Sequence, residues 1–321
     1  MRRSAALWLA LLLVALAGCR GRTTPPATAV ASGALRIGTA TRAGVYYPVG
    51  LAMSRLWTER VPSVKPEVLL TGGGPENIDL LLRREAEVAF IQSGVVYSRV
   101  TSPQTSAETR AGLRGLTYLY PNVIHLVVRK DAHIQTPADL RGKRFIPGAE
   151  GSSAVVNATE VLALYDLTLD DMQVTYLGYD EAGAAVQTGA ADAALIPGGL
   201  PTLAVSEMLN SGVAELLTLD APRMMKRFPW YLPFTVPAGA YPRQERDVRT
   251  VAVANILVGR ADLPDDLVYR LVKALYDGKD QLRQTHPAAV MQIDQALRGI
   301  TGVLELHPGA ARYMREAGVL P

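Results

Sequence analysis

Short apolar runs alternate with amphipathic stretches from Leu35 to the end of the chain, as expected for β-strands that alternate with α-helices. In the first part the pattern predicts strands at 35–37, 67–70 and 88–92, and helices at 47–60 and 76–84. A turn that carries glycine stands before each of these helices. In an open α/β sheet, ligands bind where strands end and helices begin. We therefore expect a binding site at these turns and at Gln92.

The pattern continues less regularly after Gln92, where residues 93–115 are loop-like or lightly helical. Further strands are predicted at 116–119, 123–128, 145–148, 174–177, 192–196, 214–219 and 248–258. Further helices are predicted at 154–165, 180–188, 201–210, 263–278, 281–298 and 310–317, whereas the proline-bearing segment 228–241 cannot form a long regular element. This order of strands and helices thus predicts two α/β domains joined by a hinge near residues 121 and 250. One domain comprises residues 34–120 and 250–321, and the other comprises residues 121–249.

The N-terminus has the pattern of an export signal. Arg2 and Arg3 precede an apolar run, Ala5 to Gly18, which is too short to span a bilayer comfortably. The run is followed by Cys19, and the order resembles a bacterial lipobox in which this cysteine is lipidated. The alternative is a plain secretory signal with a chance cysteine. We predict that residues 1–18 are a signal peptide and residues 19–33 a lipidated tether, so that the protein is extracytoplasmic and anchored to a bacterial membrane.

Composition argues against several classes of protein. The 321-residue chain has a net charge of +3, two charges of which lie in the signal peptide, so we expect no nucleic-acid partner. Cys19 is the only cysteine, which excludes disulfides and cysteine zinc sites. The four histidines lack metal-ligand spacing, and His286 and His307, each before a proline, are expected at helix starts. No catalytic signature is present, so we expect no enzyme, no metal and no cofactor.

Three turns rich in glycine, serine or threonine, at 38–44, 71–74 and 151–153, offer N–H and hydroxyl donors at helix N-termini, where anions bind. Each turn either contacts a ligand or simply permits a tight connection from strand to helix. The glycines at 72–74 lack the following lysine of a nucleotide-binding phosphate loop. Tyr46 and Tyr47 either form an aromatic wall of the site or pack in the core. Glu150 either touches the ligand or faces solvent.

Six segments in the same order resemble the TAXI group of TRAP-transporter solute receptors: LRIGTATRAGVYYPVG, TGGGPENIDLLLRREAEVAFIQSG, DLRGKRFIPGAEGSS, DAALIPGGLP, VPAGAYPRQERDVRTVAVANILVGRADLPDDLVY and LHPGAARYMREAG. The resemblance covers Leu35 to Gly318. It implies a two-domain, hinged, periplasmic-binding-protein-like fold of type II. It also implies an interdomain cleft for a small carboxylate, either a glutamate-like amino acid or a dicarboxylate, and a TRAP-type membrane permease as partner. The alternatives are a sensor or scaffold lipoprotein that signals to a membrane partner, and an enzyme, on the same fold.

The resemblance also implies the ligand-binding residues. In the first domain these are Thr39, Gly44, Val45, Tyr46, Tyr47, Thr71, Gly73, Gly74 and Gln92. In the second domain they are Ser152, Ser153, Pro197, Gly198 and Gly199. The sequence departs from the family pattern at Arg42, which is either an additional charge for the ligand or a solvent-facing substitution. It departs again at 151–154, where Gly-Ser-Ser-Ala replaces Gly-Ser-Gly-Thr, and this leaves the identity of the ligand open.

Overall fold

One mixed β-sheet runs through both halves of the molecule. The computed structural model describes residues 33–42 and 44–321. The predicted signal peptide, the lipidation site Cys19 and the tether up to residue 32 lie outside the described residues and stay predictions. Within residues 33–42 and 44–321, no helix has the length and apolar character needed to cross a membrane.

Strands and helices alternate as the hydrophobic pattern predicts. The strands are β1 (Ala34–Gly38), β2 (Lys65–Leu69), β3 (Val88–Gln92), β4 (Leu113–Arg129), β5 (Arg144–Ile146), β6 (Gln173–Val174), β7 (Ala193–Gly198), β8 (Ala214–Leu217), β9 (Tyr231–Val236) and β10 (Val248–Arg260). The helices are α1 (Tyr46–Arg60), α2 (Gly74–Leu82), α3 (Ser93–Thr101), α4 (Ala107–Gly112), α5 (Ser153–Ala163), α6 (Tyr179–Thr188), α7 (Leu203–Asn210), α8 (Ala221–Arg227), α9 (Asp265–Asp277), α10 (Lys279–Thr285) and α11 (Pro308–Glu316).

The strand order is β2-β1-β3-β10-β4-β7-β5-β6, with β8 paired to β4 and β9 paired to β10. The strand β1 is parallel to β2 and β3, and β5 is parallel to β6 and β7. Antiparallel pairing of β3 to β10, β10 to β4 and β4 to β7 makes these two parallel groups point in opposite directions. The carboxyl ends of the two groups therefore face each other, and the turns that follow them meet in the middle of the molecule.

The hydrophobic core is divided at the same place. Two clusters of buried side chains draw on residues 35–120 and 254–314, which we call the first lobe. Two others draw only on residues 123–253, which we call the second lobe. Only the long paired strands β4 and β10 contribute to the cores on both sides of this division.

A buried ion cluster fastens the first lobe at the start of β3. Glu87 is 3% exposed, and its carboxylate accepts hydrogen bonds from the backbone and guanidinium of Arg36 and from Arg260 Nη1. Burial alone raises the pKa of a carboxyl, but the hydrogen bonds from Arg36 outweigh burial and hold the pKa of Glu87 below its ordinary value. The cluster ties β1, β3 and β10 together.

Several predicted elements differ in the structure, and proline explains three of the differences. The strands expected at 116–119 and 123–128 are one strand, β4, because Pro121 lies where β7 does not yet pair. The segment 228–241 contains a six-residue strand, β9, whose Pro233 is tolerated because β9 pairs on one side only. The helix expected at 281–298 is wrong: α10 ends at Thr285, because His286 precedes a proline and is extended.

The remaining differences are smaller. Residues 93–115, expected to be loop-like or lightly helical, contain two helices, α3 and α4, and the strand expected at 174–177 is reduced to Gln173–Val174. The expected helix start at His307 is confirmed, since its Nδ1 accepts a hydrogen bond from Gly309 N at 3.1 Å.

Candidate functional site

A cavity lies where the turns of the two lobes meet, and we call it the cleft cavity. It encloses about 600 Å³ including its opening to solvent. Its walls come from both lobes and from Asn122 on β4 between them. The lining residues are Ala40, Thr41, Gly44, Val45, Tyr46, Gly72, Gly73, Asn122, Ala149, Ser152, Ser153, Ala154, Gly178, Tyr179, Pro197 and Gly198. None of these side chains carries a charge.

Four helices begin at this cavity: α1 and α2 from the first lobe, α5 and α6 from the second. In none of the four does a side chain of the capping residue hydrogen-bond to the first turn. Of the helices that begin elsewhere, α4, α8 and α11 are capped by Ser106, Asp220 and His307, whereas α3, α7, α9 and α10 have no side-chain cap. First-turn N–H groups have no partner within their helix, and the helix dipole makes them attract negative charge. The cavity is therefore suited to an anion, although no basic side chain lines it.

Hydrogen bonds fix the turn that leads into α2. The Thr71 hydroxyl lies 2.9 Å from Thr39 O and accepts from Gly73 N at 3.0 Å. The Asn77 amide donates to Thr39 O and to Phe90 O, each at 2.8 Å. Gly73 itself has φ +106°, which only glycine adopts without strain. These bonds fix the shape of the turn, and the N–H groups of Gly72, Gly73 and Gly74 are already engaged by side chains of the protein.

The second lobe meets this turn through adjacent serines. Ser153 Oγ accepts a hydrogen bond from Gly74 N at 3.2 Å, so the two lobes touch directly. Ser152 lines the cavity, and its buried hydroxyl has no partner among the described residues. Asn122, 5% exposed, likewise lines the cavity without a side-chain hydrogen bond to the described residues. These unpartnered polar groups are available to a ligand, because a buried polar group left unpaired is costly.

An aromatic side chain closes the inner wall of the cavity. Tyr46 donates to Asn255 Oδ1 at 2.6 Å and packs against Phe90, with ring centres 5.1 Å apart. Burial raises the pKa of Tyr46 well above its ordinary value, so the phenol stays a neutral donor. Asn255 lies opposite Gln92 in the β-sheet, and both side chains retain a buried polar atom without a partner.

The outer mouth of the cavity has the opposite electrostatic character. A wider opening shares Thr41, Gly72, Ala149, Gly178 and Tyr179 with the cleft cavity and is also lined by Arg42, Glu76, Asp180 and Glu181. Glu76 accepts a hydrogen bond from Gly72 N at 2.6 Å. Arg42 packs over the Tyr47 ring, 5.0 Å from its centre. Acidic side chains thus outnumber the one cation at the entrance.

The structure brings together eight of the residues that the resemblance implies. Gly44, Val45, Tyr46, Gly73, Ser152, Ser153, Pro197 and Gly198 line the cleft cavity. Thr71 lines only the mouth, and Thr39, fully buried, donates to Leu69 O behind the turn. Tyr47, Gly74, Gln92 and Gly199 stand beside or behind the cavity. Whether any of these residues contacts a ligand stays a prediction.

Sequence reasoning missed several lining residues, notably Asn122, Gly178 and Tyr179. The Tyr179 hydroxyl donates to Pro197 O and so joins α6 to the end of β7. A signal existed for Gly178, because it stands between a predicted strand and a predicted helix like the glycines at the other turns. Asn122 gave a weaker signal, a single polar residue beside an apolar run.

His125 and His286 lie outside the lining of the cleft cavity. His125 is buried, its Nδ1 lies 2.9 Å from Ile196 O and its Nε2 lies 2.9 Å from the Tyr241 hydroxyl. Burial lowers the pKa of His125 to about 4, so the ring is neutral. His286 ends α10 instead of starting a helix, which corrects the expectation from the sequence. In the described part of the chain, no group of three or more His, Cys, Asp or Glu side chains could hold a metal ion.

Solved structures share this architecture. PhnD1 from Prochlorococcus marinus, in complex with methylphosphonate, aligns over 90% of this chain and 100% of that chain, with a TM-score of 0.56 at 11% identity. A protein from Bordetella bronchiseptica RB50 aligns over 88% of this chain and 82% of that chain, with a TM-score of 0.53 at 17% identity. The periplasmic aliphatic sulphonate binding protein SsuA from Escherichia coli aligns over 88% and 78%, with a TM-score of 0.49 at 19% identity.

Identities this low concern the fold alone. The similarities to PhnD1 and to the Bordetella bronchiseptica protein confirm the predicted α/β, periplasmic-binding-protein-like fold of type II. The sequence itself matches one family model, that of the NMT1-like family, over residues 37–318.

Proposed function

The chain belongs to the NMT1-like family, and from this premise we propose that it is an extracytoplasmic solute receptor that captures a small carboxylate in the cleft cavity. The convergence of four uncapped helix N-termini on a cavity without charged side chains carries the proposal. A carboxylate at such a place accepts backbone N–H bonds and meets the positive ends of the dipoles. PhnD1, whose fold is similar, was solved with methylphosphonate, another small oxyanion.

The mouth favours an amino acid over a dicarboxylate. Asp180 and Glu181 are exposed at the entrance, and Arg42 is the cation that faces them. A ligand held by its carboxylate at the helix ends points its other end toward this entrance. An ammonium group is attracted there, whereas a second carboxylate is repelled by the two acids. We therefore propose a glutamate-like amino acid, whose ammonium group offsets its second carboxylate, as the first ligand to test, and a dicarboxylate, which lacks an ammonium group, as the second.

Closure of two domains about a hinge accounts for how such a ligand is bound. We propose domains of residues 34–120 with 250–321 and of residues 121–249, with β4 and β10 bending near 121 and 250. The hydrogen bond from Gly74 N to Ser153 Oγ is then a contact of the closed form. Closure excludes water and strengthens every hydrogen bond to the ligand. Nothing in this cycle requires bond chemistry, so we propose a receptor and no enzyme.

The partner and the anchor follow from the sequence. The resemblance to TAXI receptors supports a TRAP-type permease that accepts the closed form, and Cys19 supports a lipid anchor at the outer side of a bacterial membrane. Uptake of labelled ligand into cells that carry the adjacent permease genes tests the partner. Uptake that persists when the receptor gene is deleted contradicts it. Mass spectrometry of the membrane-bound protein tests lipidation of Cys19, and a free thiol contradicts it.

One pair of variants tests the binding site directly. Ser152→Asp places a carboxylate at the start of α5 within the cleft cavity, where it occupies the site of the ligand anion. Hydrogen bonds to a charged group are worth about 1.5–3 kcal/mol each, and losing about 3 kcal/mol lowers affinity ~100-fold. The free energy of unfolding without ligand is expected to be unchanged or raised by about 0.3–1 kcal/mol, because the acid complements the helix dipole.

The matched control makes the same change at a different helix start. Ser106 caps α4 away from the cleft cavity, so Ser106→Asp is expected to leave affinity unchanged. Thermal shift and calorimetry with L-glutamate, succinate and methylphosphonate supply the measurements. A ligand at 100 times its Kd adds about 2.7 kcal/mol of stability. Absence of a shift with every small anion, or equal affinity in wild type and Ser152→Asp, contradicts the proposed function.

A further inference from the structure

A second cavity lies between the two lobes, and we call it the hinge cavity. It encloses about 640 Å³ including its opening and shares no lining residue with the cleft cavity. Ser93, Tyr97, Ala254 and the turn at 298–303 form its wall on the first lobe. Pro229, Trp230 and Leu232 form its wall on the second lobe. It therefore spans the seam at the strand β10, which passes from one lobe to the other.

The hinge cavity combines apolar walls with one buried hydroxyl that has no partner among the described residues and with two exposed polar side chains. Ser93 is 1% exposed, lines the cavity, and its buried hydroxyl makes no hydrogen bond within the described residues. Arg298 is exposed at the rim and lies over the Tyr118 ring, 5.9 Å from its centre. Its guanidinium pairs with no carboxylate of the described residues. Thr301 adds a further hydroxyl to the lining.

Contacts with the first lobe fix the position of the Trp230 indole in the hinge cavity. Its ring packs against Tyr97 of the first lobe, with ring centres 4.8 Å apart. A Cβ at Gly94 would stand 2.4 Å from Trp230 Nε1, so only glycine lets the indole lie against the start of α3. Trp230 Nε1 is buried without a hydrogen-bond partner among the described residues, and Glu160, which accepts from the Tyr231 hydroxyl, does not line the hinge cavity. No acidic residue is among the lining residues.

We propose that the hinge cavity is a second binding site, which takes a small organic anion with an apolar body. The carboxylate of such a molecule pairs with Arg298 and accepts from the Ser93 or Thr301 hydroxyl, while its apolar body lies against Trp230, Leu232 and Val303. Because the walls belong to different lobes, an occupant ties the lobes together at the hinge. The proposal is independent of what the cleft cavity binds.

Benzoate is the probe, compared with benzamide, its neutral analogue of the same shape. Calorimetry on the full chain is expected to give a Kd for benzoate of ~1 mM or tighter and at least tenfold weaker binding of benzamide. Trp230 reports the location by its fluorescence, since Trp57 is fully buried in the first lobe and Trp8 lies outside the described residues. Saturable quenching that disappears in Trp230→Phe is expected.

Two further variants decide between this site and others. Arg298→Gln is expected to weaken benzoate at least tenfold, whereas Arg55→Gln, a matched loss of an exposed arginine on α1, is expected to leave the Kd unchanged. Ser152→Asp is expected to retain benzoate binding, because it alters the cleft cavity only. Equal affinity for benzamide, an unchanged Kd in Arg298→Gln, or loss of benzoate binding in Ser152→Asp each overturns the proposal.

Discussion

The proposed closure of the lobes can be tested at Gly199, which lies outside the lining of the cleft cavity. Gly199 follows β7 in the second lobe, and a Cβ built on it would stand 2.3 Å from the Cβ of Ala288 and 3.3 Å from Val45 Cγ2. Ala288 and Val45 belong to the core of the first lobe. The φ angle of Gly199 is not positive, so alanine brings no backbone strain of its own. Gly199→Ala therefore adds one methyl group at a contact between the lobes.

The expected size of the effect follows from this geometry. A methyl–methyl approach of 2.3 Å cannot be relieved by rotating a side chain, because both atoms are fixed to backbone. Overpacking of this kind costs about 1–3 kcal/mol. If the contact exists only in the closed form, the whole cost appears in binding, and a cost of about 1–3 kcal/mol weakens affinity roughly 5- to 150-fold.

Calorimetry with the ligand found by thermal shift measures the effect on Kd, and thermal unfolding without ligand measures the effect on the open form. Gly183→Ala on α6 is the matched control, because its nearest neighbour, Met208 Cγ, is 3.9 Å from the added Cβ. The control is expected to bind normally. An unchanged Kd in Gly199→Ala refutes the reasoning. So does a fall in stability without ligand as large as the loss of binding energy, since the contact would then persist in both forms.

Three further predictions concern stability. Burial raises the pKa of Glu160 from 4.5 to about 7 against the opposing hydrogen bond from Tyr231, so the folded state holds this proton more tightly than the unfolded state. The free energy of unfolding is therefore expected to fall by up to about 3 kcal/mol as pH rises from 4.5 past 7. Glu160→Gln is expected to abolish that fall in thermal unfolding, and stability profiles of the variant and the wild type that run parallel with pH contradict the prediction. Glu87→Gln leaves Arg260 without its buried partner and is expected to cost about 3–5 kcal/mol in denaturant unfolding. Glu85→Gln, at an exposed pair, is expected to leave the free energy of unfolding nearly unchanged, and equal losses in the two variants refute this. Tyr46→Phe leaves Asn255 Oδ1 without its donor and is expected to lower the free energy of unfolding by about 1–3 kcal/mol, whereas Tyr47→Phe is expected to leave it unchanged. Unchanged stability in Tyr46→Phe contradicts a stabilising role for this hydrogen bond.

Hydrophobic periodicity predicted the strands and helices well where the local sequence alone determines them. The alternation from Leu35 to Gln92 located three strands and two helices, because glycine, proline or polar residues bound each apolar run there. The prediction failed where the effect of a proline depends on which strands pair beside it. Pro121 resembles a break between strands, yet the pairing of β4 with β7 begins only at Val123, so no hydrogen bond to β7 requires the N–H group that Pro121 lacks. No pattern within the chain reveals which neighbour a residue will have in the sheet.

The site was predictable in part for the same reason. Gly73 and Ser152 are recognisable locally, because a turn before a helix needs such residues wherever it occurs. Asn122 and Tyr179 line the same cavity, but they do so through long-range placement: Asn122 by its position on a strand between the lobes, and Tyr179 through its bond to Pro197 O. Facing carboxyl ends of β3 and β7 bring these residues together, and that arrangement depends on the strand order.

The uncapped helices also bear on the proposed opening and closure of the lobes. Away from the cleft the chain caps α4, α8 and α11 with Ser106, Asp220 and His307, although α3, α7, α9 and α10 begin without a side-chain cap. At the cleft cavity the residues before the helices are valine, glycine, serine and glycine, and none of their side chains caps. A missing cap forgoes about 0.5–2 kcal/mol of stability, and only a few tenths where glycine stands at the capping position. Without a ligand anion, closing the lobes would remove water from these N–H groups, and the closed form supplies a partner, Ser153 Oγ, to Gly74 N alone among the described contacts between the lobes at these helix starts. A ligand carboxylate replaces the lost water, so the same omission that weakens the empty closed form makes closure depend on the ligand.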